Sequence, residues 1–205
     1  LPTFINQDGQ KTISSFNFQE YEKLDFLKYE GPTDPTITGS FGNILTYKNL
    51  KLNVFVTYSF GNVIRLDPVF SNAYSDLDAM PKEFKNRWMK AGDENVTNIP
   101  TIVSTRMNQQ YAYLNMAYNA YNYSDVRIAD GGFIRLKEIS LSYDLPAKVI
   151  NFFRLNKLQL KLQATNLCLL YADSKLNGQD PEFFRSGGVS TPVPKQFTFT
   201  VRLGL

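Results

Sequence analysis

The chain has 205 residues, 43% of them apolar and 20% charged, with a formal net charge of +3. That balance excludes a disordered tail, and no run approaches the roughly 18 consecutive apolar residues of a spanning helix. Composition alone therefore reads as a soluble globular protein, with one blind spot. A spanning β-strand alternates apolar and polar residues and leaves the average low, and mean hydropathy here is −0.28. Histidine is absent, which removes His-dependent triads and the HExxH zinc site. The single cysteine, Cys168, excludes an internal disulfide and any multi-Cys metal site. Lysines and arginines are dispersed, so no nucleic-acid partner is expected. Aromatic residues are in surplus, at 14%.

The N-terminal Leu1-Pro2-Thr3-Phe4 has neither an initiator Met nor a basic segment leading into an apolar one. The chain is expected to be mature, trimmed or a fragment. The first alternating run is Ile37 to Lys48, with Ile37, Phe41, Leu45 and Tyr47 on one side and Thr38, Ser40, Gly42 and Thr46 opposite. Asn43 and Ile44 break its pattern. Lys48-Asn49 then fits a tight hairpin turn, with Asn49 the residue suited to positive φ. From Leu50 to Asn62, Leu50, Leu52, Val54, Val56, Tyr58 and Phe60 share one face against Lys51, Asn53, Thr57 and Ser59. Phe55 is the lone exception. Such period-2 alternation predicts a strand.

Between Ser75 and Lys90, Pro81 after Asp78 predicts a helix start with Phe84, Trp88 and Met89 as its apolar face, packing for a loop. Tyr111, Tyr113, Tyr118, Tyr121 and Tyr123 form a Tyr-rich run with two readings. Exposed, they are platforms for a sugar ring or a partner protein. Buried, Tyr111, Leu114, Tyr118 and Tyr121 recur at helical spacing and form the packed stripe of a loop helix, which is the weightier reading.

The third strand, Phe133 to Leu145, carries Ile139, Leu141, Tyr143 and Leu145 on one face, but Ile134 and Leu136 are out of phase. A bulge near Lys137 accounts for the slip. Lys157 to Cys168 alternates cleanly, as does the C-terminal run with Phe197, Phe199, Val201, Leu203 and Leu205 against Gln196, Thr198, Thr200 and Arg202.

Alternation by itself fits a soluble antiparallel sandwich. Length argues otherwise, because these runs reach about 11–13 residues, whereas soluble strands cluster near 5–6 and tilted spanning strands need about 9–11. Aromatics such as Tyr47, Tyr58, Phe60, Tyr143, Phe197 and Phe199 fall toward strand ends, where membrane-interface girdles belong. Loop lengths also sort by side: Lys48-Asn49 and the Pro146-to-Asn156 connection on one, the long segments at about 64–132 and 169–194 on the other. Short inner turns and long outer loops are the rule of outer-membrane barrels. The expected fold is all-β, an antiparallel arc of transmembrane barrel strands over 37–205 with helical pieces in long outer loops, after a remnant at 1–36. Lys51, Lys161 and Arg202 then face the lumen, tuning passage or pairing with nearby carboxylates.

Several blocks resemble the SusC/RagA-type TonB-dependent outer-membrane transporters. They are Thr38-Gly39-Ser40-Phe41-Gly42-Asn43 with Tyr47-Lys48-Asn49-Leu50, then Tyr58-Ser59-Phe60-Gly61-Asn62, then Arg87-Trp88 with Gly92-Asp93-Glu94 and Asn98-Ile99-Pro100. The run Phe133 to Pro146 is the most diagnostic, and Gln163-Ala164-Thr165-Asn166-Leu167 with Asp180-Pro181-Glu182 completes the order. The resemblance covers about 31–205 and maps to the C-terminal barrel strands. One departure is the terminal Leu205, where outer-membrane barrels commonly end in an aromatic residue. It implies a segment of an outer-membrane importer of oligosaccharides or peptides in a Gram-negative bacterium. The implied partners are a SusD-like surface lipoprotein, the TonB complex through a missing N-terminal part, and outer-membrane lipid. The blocks match the nutrient-uptake branch rather than siderophore receptors, and a soluble extracellular glycan-binding β-sandwich is the alternative. Such barrels have about 22 strands, so these runs should not insert alone as a closed, heat-modifiable barrel.

No nucleophile–base pair, P-loop or dinucleotide fingerprint is present, and Gly31, Gly39 and Gly42 belong to strand and turn. No catalysis and no cofactor are expected. Asp76, Asp78, Asp93, Glu94, Asp180 and Glu182 are oxygen donors suited to calcium, without the EF-hand spacing, so no metal site is assigned.

Overall fold

The computed structural model describes residues 2–5, 10–12, 27–69, 80–111, 114–152, 155–184 and 191–204. The chain divides into two compact units: Leu1–Glu30 with Arg65–Ala129, and Gly31–Ile64 with Asp130–Leu205. In chain order the strands are β1 (Phe4–Ile5), β2 (Lys11–Thr12), β3 (Ile37–Tyr47), β4 (Leu50–Phe60), β5 (Val63–Arg65), β6 (Ile128–Asp130), β7 (Phe133–Asp144), β8 (Lys157–Ala172) and β9 (Gln196–Gly204). The helices are α1 (Thr105–Gln110), α2 (Leu114–Tyr123) and α3 (Ala147–Phe152).

The second unit is built on one five-stranded sheet in the order β3-β4-β7-β8-β9, every neighbouring pair antiparallel. Strands that follow each other along the chain also lie side by side, which is the up-and-down order of a barrel wall. The five strands have 11, 11, 12, 16 and 9 residues, each enough for a tilted crossing of about 9–11. Strand β8 continues to Ala172, past Cys168, where the sequence alternation ends. Leu205 lies outside the described residues.

The phase slip at Lys137 is a bulge. On β4, Val56 pairs with Leu136 and Phe55 with Glu138, leaving Lys137 unpaired; on β8, Leu136 pairs with Cys168 and Glu138 with Thr165. Asn166 takes the left-handed conformation on the β8 side (φ 54°), as a short polar residue tolerates. The bulge returns Ile134 and Leu136 to the face shared by Ile139, Leu141 and Tyr143.

Phe55 faces Gly42 directly across the β3–β4 ladder, and a Cβ on Gly42 would lie 3.1 Å from its ring. Tyr58 likewise covers Gly39, where a Cβ would come within 2.6 Å of its ring carbon Cζ. Both glycines leave space that a cross-strand aromatic fills, which pins the register. The hairpin differs from expectation in one respect: Lys48, not Asn49, has positive φ (52°).

The first unit has a small core of Val69, Phe84 and Tyr121, with Met80 and Ile99 packed against it. Helix α2 buries Leu114, Tyr118 and Tyr121 of the expected stripe together with Ala117, whereas Tyr111 falls before the helix and is exposed. The predicted helix near Pro81 shrinks to a single 3-10 turn, Lys82–Asn86, with Phe84 buried and Met89 exposed. The backbone donors beyond it are taken elsewhere. Trp88 N–H donates to the Ile99 carbonyl at 2.9 Å, and those of Met89 and Lys90 to an Asp93 carboxylate oxygen at 3.0 Å.

Candidate functional site

The two faces of the five-stranded sheet differ in kind. One face carries rows such as Leu45–Leu52–Leu141–Leu162–Phe199 and Tyr47–Leu50–Tyr143–Leu160–Val201 across all five strands. Most of these side chains are exposed, among them Leu45 at 61%, Leu162 at 59% and Phe199 at 61%, while Leu52 and Leu160 are half-buried. Phe197 and Phe199 pair with Ala164 and Leu162, so they extend the aliphatic band, whereas Phe60 packs near Tyr58 and Tyr171 with ring centroids 6.0 and 6.2 Å away. On the opposite face, polar residues of the central strands β7 and β8 are covered, with Ser140 at 4%, Arg135 at 6% and Gln159 at 9% exposure, while those of the edge strand β3 are exposed. This inverts the water-soluble arrangement, in which an apolar sheet face is the buried one.

The lysines singled out by sequence fall together on the polar face. Lys51, Ser142, Lys161 and Thr200 form one row, and Arg202 stands opposite Gln159, one pair along. Lys161 Nζ lies 3.9 Å from Glu138 Oε1, a neighbouring-strand pairing, and Asn53 Nδ2 donates to the same oxygen at 3.2 Å. Gln159 donates to Asp144 at 2.9 Å.

Sequence reasoning missed Arg135. Once the bulge resets the phase it belongs to the polar face, where an Nη2 lies 2.6 and 2.7 Å from the two oxygens of Asp180 and 3.1 Å from Glu182. The side chains of Arg135 and Asp180 are 7% and 8% exposed. Asp180 also accepts from Glu182 N–H, capping the Pro181–Phe183 turn. Asp173 accepts from Asp130 N–H at 2.8 Å, and Leu176 is 1% exposed, so the segment after β8 is fastened within this unit. Two separated blocks of the sequence, Phe133–Pro146 and Asp180-Pro181-Glu182, thus meet in one ion cluster.

A cleft of about 620 Å³ opens on this polar face, lined by Thr38, Ser40, Phe55, Thr57, Lys137 and Glu182 among others.

In the first unit, Tyr118 donates to the Thr101 carbonyl, and burial pushes its phenol up to about 12. Burial also raises Tyr121, which lies against the Arg127 guanidinium. Arg127 in turn is held by both oxygens of Glu83 at 2.6 and 2.9 Å. Tyr111 and Tyr123 are exposed; Tyr113, Asp76 and Asp78 lie outside the described residues. Among the described residues, the acidic side chains with oxygens suited to calcium accept bonds from the protein. Asp93 accepts the backbone N–H bonds above, and Glu94 accepts from Trp88 Nε1 at 2.9 Å and Gly92 N–H at 2.8 Å. The Trp88 bond, then the backbone N–H groups, hold the Glu94 carboxyl below its usual range.

No family model matches the chain. Among curated proteins it is 27% identical over 179 residues to TonB-dependent receptor P3 of Formosa agariphila, covering 87% of this chain and 15% of that protein. Among solved structures it resembles the RagAB peptide importer in its open-open state (TM-score 0.62, 20% identity, 97% of this chain, 20% of that chain). The closed-closed state gives a TM-score of 0.60 at 22% identity, over 99% of this chain and 20% of that one. The chain therefore spans 15% of the curated relative and about a fifth of the solved chains. Both comparisons fall on the group whose sequence blocks it resembles.

Proposed function

We propose that this SusC/RagA-like chain is the C-terminal, membrane-spanning arc of a TonB-dependent outer-membrane transporter that imports oligosaccharides or peptides. The observation that carries the reading is the inversion of the sheet's central strands, where Leu141 and Leu162 are exposed on the apolar face while Ser140, Arg135 and Gln159 are buried on the polar one. In a bilayer the bare face meets acyl chains and the covered one lines the lumen. A soluble sandwich requires a second sheet over the apolar face, and the other sheets among the described residues have only two strands each.

On this reading 37–205 supplies the wall, the segments at about 64–132 and 169–194 lie on the outer side, and 1–36 belongs with the outer loops. Lys51, Lys161 and Arg202 face the lumen. Among the described residues, exposed Tyr111 and Tyr123 are the members of the Tyr run left to meet a ligand or a SusD-like lipoprotein, while Tyr118 and Tyr121 hold α2 in place. The TonB complex engages an N-terminal part of the larger protein, in the outer membrane of a Gram-negative cell. The mechanism is gated passage rather than bond chemistry.

Cysteine accessibility tests the reading in the full-length protein carrying Cys168→Ala. In intact outer membranes, Lys51→Cys, Ser142→Cys and Lys161→Cys should react with a water-soluble maleimide. Leu52→Cys, Leu141→Cys and Leu162→Cys should resist it and react with a lipid-soluble one. Equal labelling of the two sets by the water-soluble reagent rules the assignment out.

A further inference from the structure

We propose that the polar face carries a carboxylate-binding subsite centred on Lys137, an inference that rests on the lumenal reading of that face. The β7 bulge is what creates it. In a regular strand, Lys137 and Glu138 would point to opposite faces. The extra residue, unpaired on both β4 and β8, brings both onto the polar side, where Lys137 lines the 620 Å³ cleft with Thr38, Ser40, Phe55, Thr57 and Glu182. Bulges serve elsewhere to re-aim a side chain beside a site.

Charge pairing separates Lys137 from its neighbours. Glu182 is 3.1 Å from Arg135, Asp180 is 2.6 Å from the same guanidinium, and Glu138 is bound by Asn53 and Lys161. Lys137 has no hydrogen-bond or ion-pair partner among the described residues. A cation held in a cleft walled by hydroxyls, with the nearby carboxylates already engaged, is suited to an incoming anion. The flanking Thr and Ser hydroxyls donate to its second oxygen, and Phe55 offers a flat apolar surface beside it. A carboxylate on an acidic oligosaccharide or on an acidic peptide supplies the same chemistry.

The test uses the full-length transporter in detergent, titrated calorimetrically with four probes: capped tetraglutamate, capped tetraglutamine, tetragalacturonate and its fully methyl-esterified form. At least one acidic probe should bind more tightly than its neutral counterpart, and which one identifies the source. Lys137→Gln should weaken that acidic probe about tenfold, the loss of one charge-assisted hydrogen bond, and leave the neutral probe unchanged. Lys137→Arg should retain most of the affinity. Failure of the wild type to bind either acidic probe overturns the proposal. So does a Lys137→Gln variant that melts lower yet binds every probe as before, which would assign Lys137 to an internal ion pair. Cysteine labelling at positions 51 and 52, repeated in this variant, reports on the lumenal reading independently of both results.

Discussion

Replacing Leu162 by Arg puts the two environments of the sheet in direct opposition. Leu162 stands in the row Leu45–Leu52–Leu141–Leu162–Phe199, near the middle of the paired β8–β9 span, and is 59% exposed. Complete removal of a leucine from water is worth about 1.5–3 kcal/mol, so the exposed share accounts for roughly 1–2 kcal/mol of contact with lipid. A guanidinium near the bilayer midplane costs about 2–4 kcal/mol, and adding the lost leucine contact brings the expected destabilisation to about 3–6 kcal/mol. Toward the interface the cost falls, and Leu203→Arg, near the end of β9, should cost about 1 kcal/mol or less. Gln163→Arg, one residue along but on the polar face, should change stability by no more than about 0.5 kcal/mol. In water the order reverses, because trading an exposed leucine for a charge is neutral or favourable. Guanidinium titration of the full-length protein in lipid vesicles gives the three free energies. A Leu162→Arg variant no less stable than the Gln163→Arg variant would refute the assignment of this face to lipid.

Arg135→Met leaves Asp180 buried without its cation, which should cost about 3–5 kcal/mol locally; limited proteolysis should then cut within 173–184 much faster, and an unchanged cleavage rate would argue that the segment is held by other contacts. Tyr118, with its phenol at about 12 when folded against about 10 when unfolded, keeps its proton while the unfolded chain loses it. Its contribution to stability is therefore intact below pH 10 and lost as pH rises toward 12. Tyr118→Phe should remove part of this alkaline sensitivity while forfeiting about 1 kcal/mol at neutral pH with the Thr101 hydrogen bond, measured as melting temperature against pH.

The strands were legible because their signal is local. Alternation gave the five long strands and both faces, and the phase error at Ile134 and Leu136 located the bulge at Lys137. The Tyr run was legible in part, since helical spacing separates Tyr118 and Tyr121 from exposed Tyr123 but also grouped with them Tyr111, which precedes the helix and is exposed. What stayed hidden depends on partners far along the chain. Arg135 meets Asp180 across 45 positions, and Arg127 meets Glu83 across 44; neither spacing has a periodicity to read. The shortened turn at Lys82–Asn86 failed for a related reason, because Asp93 and Ile99 compete for the backbone N–H groups a longer helix would use. At the hairpin, propensity favoured Asn49 for the left-handed residue, yet Lys48 takes it, with its ammonium 5.3 Å from the centre of the Tyr47 ring.

The two ends of the sheet constrain the proposal as firmly as its faces. Strands β3 and β9 each have one neighbour in the order β3-β4-β7-β8-β9. In water an open edge is solvated and tolerable. Within lipid each unpaired N–H or C=O costs several kcal/mol, so an arc of this kind is stable only with strands added at both edges. Apolar exposure and open edges are therefore one requirement seen twice: the face that needs lipid belongs to a sheet that lipid will not accept unfinished. A five-stranded wall that matches about a fifth of the solved importer chains fits that requirement, because the remaining strands have a place to come from. In a closed barrel the polar-face cations would also meet whatever groups those strands carry. Lys51 and Arg202 have no ion pair among the described residues. Lys137 differs in standing in a cleft, among hydroxyls that an anion can share with it, rather than on the open wall.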